Sequence, residues 1–206
     1  MTGYPVVAIV MATLLEAKPF VEGMFLKKSK KKPFDLFRNE NTALIISGVG
    51  KTNSAMAVAY CCQNFNPVSI CNLGAAGATQ FSHSLGEVFH VTKIFEYDRP
   101  EFRSGRPHIH KPDMLPGFQP AKLATSDRAI LDPNERKRIS VDADLVDMEG
   151  ASVVQVCKKF QTRCYLFKFV SDTPDHKRDE DIVENIRRYR ASFYEFFISS
   201  VMPNFL

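Results

Sequence analysis

Hydrophobic positions along the chain fall into short apolar runs separated by stretches of helical spacing. PVVAIVMA (5–12) is a continuous β-branched run and predicts a strand buried on both faces. The spacing then changes. TLLEAKPFVEGMF (13–25) predicts a helix with Leu14, Leu15, Val21 and Phe25 on its inner face. PFDLFRNE (33–40) and TALIISGVG (42–50) read as two strands meeting at a turn over 39–41. KTNSAMAVAYCCQNF (51–65) reads as a helix opened by the glycine-bearing SGVG. VSICNLGAAGA (68–78) predicts a buried strand that ends in a small-residue loop, and EVFHVTKIFEY (87–97) a longer strand. Residues 98–120 contain five prolines and two glycines without periodicity, which predicts a long loop of the kind that carries function or stays disordered. AKLATSD (121–127) and RISVDADLVDME (138–149) follow as short strands, GASVVQVCKKF (150–160) as a helix and CYLFKFVSD (164–172) as a buried strand. The chain closes on an amphipathic helix over 179–202. Its first turn holds Asp179, Glu180 and Asp181, and its stripe is Ile182, Ile186, Tyr189, Phe193, Phe196 and Phe197.

Strands interleaved with helices, without repeat or linker, predict one α/β domain over 1–206 with a mostly parallel sheet. Such sheets bind ligands beyond the carboxyl ends of their strands. Three acids fall there: Glu16 after the first strand, Glu149 after the strand near 141–147, and Asp172 at the end of LFKFV. Two glycine-bearing segments, GVGK and LGAAGA, join them. Glu149 sits between Met148 and Gly150, at the head of an apolar segment, where a carboxylate is costly without hydrogen bonds. It serves either a ligand or the N-terminus of the following helix. Asp172 in SDTPD has the alternative of a helix N-cap, in a stretch that carries a turn signal. Glu16 has the alternative of an exposed helical acid.

Composition narrows the class. The chain has 206 residues, 45% of them hydrophobic, enough for one large core. Much of the net charge of +4 traces to KKSKKKP (27–33). The Lys27–Lys32 run is expected to be a solvated loop, with a polyanion patch as the alternative. Elsewhere the signs mix, so no nucleic-acid partner is implied. Cys61, Cys62, Cys71, Cys157 and Cys164 show no CxxC spacing and read as buried free thiols of a reducing compartment. The N-terminal apolar run is too short to span a bilayer and no basic residue precedes it. The expectation is a soluble, cytoplasmic protein with no membrane partner.

GVGKTNSA, NLGAAGA, VDMEGASVVQVC and FVSDTPD occur in this order in the nucleoside phosphorylase and nucleosidase superfamily. The chain resembles most the methylthioadenosine/S-adenosylhomocysteine nucleosidases, over nearly its whole length. The resemblance implies a three-layer α/β/α sandwich of the nucleoside phosphorylase type, with a mixed, mostly parallel central sheet. It also implies roles. Glu149 would hold the ribose hydroxyls, and Met148 would pack against the sugar face. Asp172 would bond purine N7 and the 6-amino group, with Ser171 orienting it. An acid there favours adenine as leaving base, since an amide suits a 6-oxo group better. Glu16 would activate water. Ala75 and Gly77 would be substrate-binding, Ala75 near the sugar or the water, and Ile130 would belong to the base-side wall. Ala75 stands where the nucleosidases often have Ser, and the segment after residue 120 is shortened, which puts the wall at 127–130 in doubt. Leu115 and Pro116 match a stretch inserted by a dimer partner beside the 5′ substituent. A homodimer is therefore implied, and no cofactor.

The implied activity is hydrolysis of a 5′-substituted adenine nucleoside: methylthioadenosine, S-adenosylhomocysteine or 6-amino-6-deoxyfutalosine. MEGA leans slightly toward the last of these and the futalosine route to menaquinone. Arg103 and Arg106 are candidates for an anionic 5′ substituent. His108 and His110 have no metal-ligand spacing beyond i, i+2, so no metal is proposed. Purine nucleoside phosphorylase, futalosine hydrolase and a non-catalytic purine-nucleoside-binding module are the alternatives. Lys51 is the one candidate near the glycine loops for holding phosphate.

Overall fold

The computed structural model describes residues 7–176 and 178–205. Its strands are β1 (Val7–Met11), β2 (Lys27–Lys30), β3 (Asp35–Arg38), β4 (Thr42–Ile46), β5 (Ser69–Ala78), β6 (Val88–Pro100), β7 (Pro107–His110), β8 (Pro120–Thr125), β9 (Leu145–Asp147) and β10 (Arg163–Asp172). Its α-helices are α1 (Leu14–Gly23), α2 (Lys51–Phe65), α3 (Pro133–Ile139), α4 (Gly150–Lys159) and α5 (Asp179–Phe196). Pro5 and Val6 of the first expected strand lie outside the described residues.

The sheet is mixed. At its centre β4, β1, β5 and β10 run parallel, and most of their residues are buried on both faces, as suits apolar runs in a covered sheet. Strand β5 is long enough to have three neighbours. Its first half pairs with β1, nearly its whole length with β10, and its last residues with β9. Pairings of β9 with β8, β8 with β6 and β6 with β10 close a five-stranded ring through β5. Strands β1, β4, β3 and β2 extend the sheet beyond it. One face is covered by α2 and α4 through Ala57, Val58, Cys61, Val153, Val154 and Cys157. The other is covered by α1 and α5 through Ala17, Phe20, Ile186 and Phe193. These are the three expected layers, helices on both faces of a mixed sheet.

Several local expectations are corrected. The most buried residues of α1 are Glu16, Ala17 and Phe20; of the expected set, Leu15 and Val21 pack half-buried against the same core, while Leu14 is 48% exposed. Thr13 caps the helix and fixes its rotation, and the helix ends at Gly23, so Phe25 lies beyond it and is 84% exposed. Part of the lysine run is strand: Lys27–Lys30 form the exposed strand β2 at the edge of the sheet, with Lys28 Nζ 2.7 Å from Asp35, and Lys31 and Lys32 lead out of it. Lysines on an edge strand discourage pairing with another chain. LGAAGA continues β5 instead of looping out of it. Residues 98–120 are loop only in part, because β6 runs on to Pro100, β7 (107–110) folds back against it and β8 begins at Pro120. Helix α3 occupies part of what reads as strand. Asp132 caps it, accepting from Asn134 N at 3.1 Å, and Pro133 begins it, a start signal present in the sequence. The closing helix changes pitch at Phe197 into a π turn over 197–201 and a 3₁₀ turn over 202–205.

Candidate active site

The carboxyl ends of β1, β5, β9 and β10 surround a cavity of about 440 Å³. Its lining includes Glu16, Ala75, Gly77, Ile130, Met148, Glu149, Ser171 and Asp172, eight residues expected from the sequence. The first turn of α1, the strand ends and the first turns of α5 complete the wall, with Leu15, Ile182 and Val183 supplying apolar surface.

Glu16 is 5% exposed. Its Oε2 accepts from the Thr13 backbone N–H at 3.1 Å and from Thr13 Oγ1 at 2.7 Å, closing the capping box of α1. Its Oε1 accepts from Ala75 N at 2.9 Å. The acid is therefore a buried part of the cavity wall, not an exposed helical residue. Ala75 lacks a hydroxyl, but its backbone N–H still reaches the carboxylate. Gly74 makes the approach possible: a Cβ there would stand 2.8 Å from Glu16 Oε1.

Glu149 makes no side-chain bond to the helix it precedes. Asp147 does that work, with Oδ2 accepting from Gly150 N at 2.9 Å. Glu149 Oε1 instead accepts from Gly50 N at 2.9 Å, at the N-terminus of α2. Burial and the nearby Asp147 charge push its carboxyl up to about 7, against the opposing pull of Lys168 and the Gly50 N–H. Lys168 is itself buried, with Nζ 2.9 Å from Asp147 Oδ2. Burial lowers its pKa, but Asp147, Glu149 and Glu16 outweigh that and hold it above its ordinary value. Neither Asp147 nor Lys168 stands out in the sequence. A lysine within a buried strand, KFV, is the signal that could have found the pair.

Because folded Glu149 keeps its proton to a higher pH than the unfolded chain, the folded state binds more protons between the two pKa values. Its contribution is fully present below the unfolded value and is lost as pH rises through about 7. Urea unfolding at about pH 5 and about pH 8 is expected to show lower stability at the higher pH, and Glu149→Gln is expected to flatten that difference. An equal pH slope in both proteins would remove Glu149 as its source.

Asp172 is 3% exposed, at the end of β10. Oδ1 accepts from Ser171 Oγ at 2.6 Å, and Oδ2 pairs with Arg136 Nη2. Neither oxygen caps α5, which begins at Asp179. Arg136 comes from α3 and is 1% exposed. Gly77 makes room for the pair, since a Cβ there would stand 2.7 Å from Asp172 Oδ2 and 2.8 Å from Arg136 Nη2. The sequence reading missed Arg136 because it missed the helix that carries it.

The remaining expected residues lie elsewhere. Arg103 and Arg106 are exposed in the turn between β6 and β7 and do not line the cavity. Leu115 and Pro116 do not line it either; Leu115 N donates to His90 Nε2 at 3.0 Å. His110 Nε2 lies 3.4 Å from Glu96 Oε2. Lys51 is turned from the cavity, its Nζ 2.5 Å from Asp98, 3.3 Å from Asp127 and 3.5 Å from Glu96. Among the described residues, the cations that line the cavity are Arg136, paired with Asp172, and Arg128, paired with Glu135 at 2.5 Å. The five cysteines are buried, and no described helix is long and apolar enough to cross a membrane.

Residues 123–201 match the model of the phosphorylase superfamily. The chain is 30% identical over 162 residues to a 5′-methylthioadenosine/S-adenosylhomocysteine nucleosidase of Bacillus velezensis, covering 66% of this chain and 70% of the relative. It is 26% identical over 186 residues to an aminodeoxyfutalosine nucleosidase of Campylobacter jejuni, covering 78% and 81%. The fold matches the crystal structure of 5′-methylthioadenosine/S-adenosylhomocysteine nucleosidase from Helicobacter pylori with a TM-score of 0.85, at 18% identity, over 98% of this chain and 99% of that one.

Proposed function

The chain belongs to the phosphorylase superfamily, among its nucleosidases, and on that premise we propose that its 206 residues form a single hydrolase domain cleaving the N-glycosidic bond of 5′-substituted adenine nucleosides. The observation that carries this reading is the cavity itself. Glu16, Glu149 and Asp172 line it together, while Arg128, Arg136 and Lys51 are each committed to carboxylates. That charge pattern suits a cationic sugar and a water nucleophile. A phosphate dianion would meet three acids and, among the described residues lining the cavity, no cation that is not paired with a carboxylate.

In this reading the ribose hydroxyls donate to Glu149, whose carboxylate gains value as the sugar becomes cationic. Met148 covers the sugar face. Asp172, aligned by the Ser171 hydroxyl, bonds N7 and the 6-amino group; in this step its carboxylate takes up a proton from solvent as substrate binds and passes it to N7 as the C1′–N9 bond breaks, while the proton that Glu16 gains from water returns to solvent. Glu16 takes a proton from the water whose oxygen bonds to C1′. Water is divided between the products: its hydroxyl goes to the sugar, and the purine gains a proton. No cofactor or metal has a part in these steps.

Methylthioadenosine, S-adenosylhomocysteine and 6-amino-6-deoxyfutalosine are the proposed substrate set. The Campylobacter jejuni relative supports the last of these, with a place in menaquinone biosynthesis; the other two would serve methionine salvage. The apolar wall of Leu15, Ile182 and Val183 is suited to a 5′ group. We place Leu115, Pro116, Arg103 and Arg106 at the 5′ pocket only by way of a second subunit, since they do not line this chain's own cavity. A cytoplasmic homodimer is thus part of the proposal.

The test is release of free adenine from each of the three nucleosides in phosphate-free buffer. Turnover is expected with at least one substrate and no gain on adding phosphate. Turnover that appears only with phosphate would make the protein a phosphorylase. Tight nucleoside binding without turnover in either buffer would make it a binding module.

A further inference from the structure

Strand β8 leaves its pairing with β6 at Thr125, opposite Glu96, and residues 126–132 then run without helix or strand until α3 begins. Arg128, Ala129, Ile130 and Leu131 of this segment line the cavity. The far end of this wall is held by apolar packing. Ile130 is buried with Ile139, Ala143 and Val146, and its carbonyl accepts from Arg136 Nε at 2.7 Å. The near end has no such support. Residues 127–129 are exposed, and an exposed, irregular segment stays in place only where polar anchors offset its backbone entropy.

Those anchors meet at Lys51. Asp127 N donates to Asp98 Oδ2 at 2.6 Å, and Asp127 Oδ1 accepts from Lys51 N at 3.3 Å. Lys51 Nζ lies 3.3 Å from Asp127 Oδ2, 2.5 Å from Asp98 Oδ1 and 3.5 Å from Glu96 Oε1. Its side chain is 12% exposed, so these pairs are screened less than open surface pairs. Helix α2 gains nothing from a cation here, because Lys51 is its first residue, where the macrodipole favours an acid. The framework that Lys51 grips is fixed. Helix α2 packs on the sheet through Ala57, Val58 and Cys61, and Glu96 is also held by Arg99 at 2.7 Å. The loop is therefore the side that moves when the pin is removed.

We propose that Lys51 is a positioning residue for the base side of the site, pinning the wall at 127–131 through Asp127. The proposal rests on the nucleosidase reading, which seats the purine between Asp172 and this wall. Lys51 touches no substrate atom and moves no proton. It keeps the wall in its binding-competent place before the base arrives. When only a fraction of molecules has the wall in place, apparent affinity for a ligand that needs it falls by that fraction. A ligand that does not reach the wall is unaffected.

The experiment takes wild type, Lys51→Met and Lys51→Arg with the nucleoside that wild type turns over best. It reads kcat and KM, and inhibition by free adenine and by the matching 5-substituted ribose. In Lys51→Met, KM and the adenine inhibition constant are expected to rise together by about tenfold, while kcat stays within about threefold because saturating substrate draws the wall in. Inhibition by the ribose should not change. Lys51→Arg can still bridge Asp98 and Asp127, so it is expected to stay within about threefold of wild type. An unchanged adenine constant in Lys51→Met, beside normal wild-type turnover, overturns the proposal and leaves the nucleosidase reading standing. So does equal weakening of adenine and the ribose, which would make Lys51 a general support of the fold, and so does a fall in kcat at constant KM. No adenine release by wild type from any of the three nucleosides overturns both readings. Should Lys51→Met fail to fold, Asp127→Asn decides. The Asp127 side chain is 60% exposed, and its loss leaves Lys51 paired with Asp98 and Glu96. Inhibition by adenine is expected to weaken by about threefold or more with the ribose unchanged, and no weakening counts against the proposal.

Discussion

Replacing Glu16 by Gln is expected to lower kcat for adenine release by about 10²-fold or more while leaving nucleoside binding nearly unchanged. The amide has almost the carboxylate's shape but cannot take a proton from water. In the structure Oε1 accepts from Ala75 N and Oε2 from Thr13 N and Oγ1. A glutamine can keep its oxygen toward Ala75, but its NH₂ must then face the Thr13 N–H, and part of the capping box is lost. That loss is of the order of 1 kcal/mol, as for other weakened N-caps, so the protein should remain folded. Calorimetric titration with an adenine nucleoside, beside steady-state adenine release with and without phosphate, separates the two effects. Normal hydrolysis by the variant would take Glu16 out of the mechanism. A loss confined to affinity would assign it to binding.

Asp172→Asn is expected to remove activity by about 10²–10⁴-fold, the range typical of a lost general acid. Here the structure adds a second effect. Asp172 faces the buried guanidinium of Arg136 and the Ser171 hydroxyl. An amide of the same size no longer balances that charge, and breaking a buried pair from one side costs about 3–5 kcal/mol. The variant should therefore unfold at markedly lower denaturant concentration, although nothing has changed in volume. Kinetics must be read where circular dichroism shows the variant folded. Near wild-type turnover under those conditions would exclude Asp172 as the proton donor. Unchanged stability would mean that Arg136 finds another partner when the carboxylate is removed.

Local pattern was enough to locate most of the fold. The apolar runs at 7–11, 42–46 and 164–172 read as strands, and the structure places them at the sheet centre. Acids at the ends of such strands pointed to a site, and Glu16, Glu149 and Asp172 do share one cavity. Where the pattern misled, the missing information was tertiary. LGAAGA looks like a loop because small residues have low strand preference, yet it continues β5, where two of its glycines admit the Glu16 and Asp172 carboxylates. The lysine run looks solvated, and is, but hydrogen bonds to β3 make Lys27–Lys30 a strand.

By itself, then, local pattern determined an α/β domain with a mostly parallel sheet and which three carboxylates gather at its strand ends, because burial and period are properties of local composition; the three-layer phosphorylase-type sandwich was implied by the resemblance of its motifs. Only the tertiary structure decided how each carboxylate is held. Gly50 lies 99 residues from Glu149 in the chain, Ala75 lies 59 from Glu16, and Arg136 lies 36 from Asp172. No local periodicity encodes a hydrogen bond across such separations. They arise when β5 acquires three neighbours, the five-stranded ring closes, and the ends of α1, α2 and α3 are brought to one edge of the sheet.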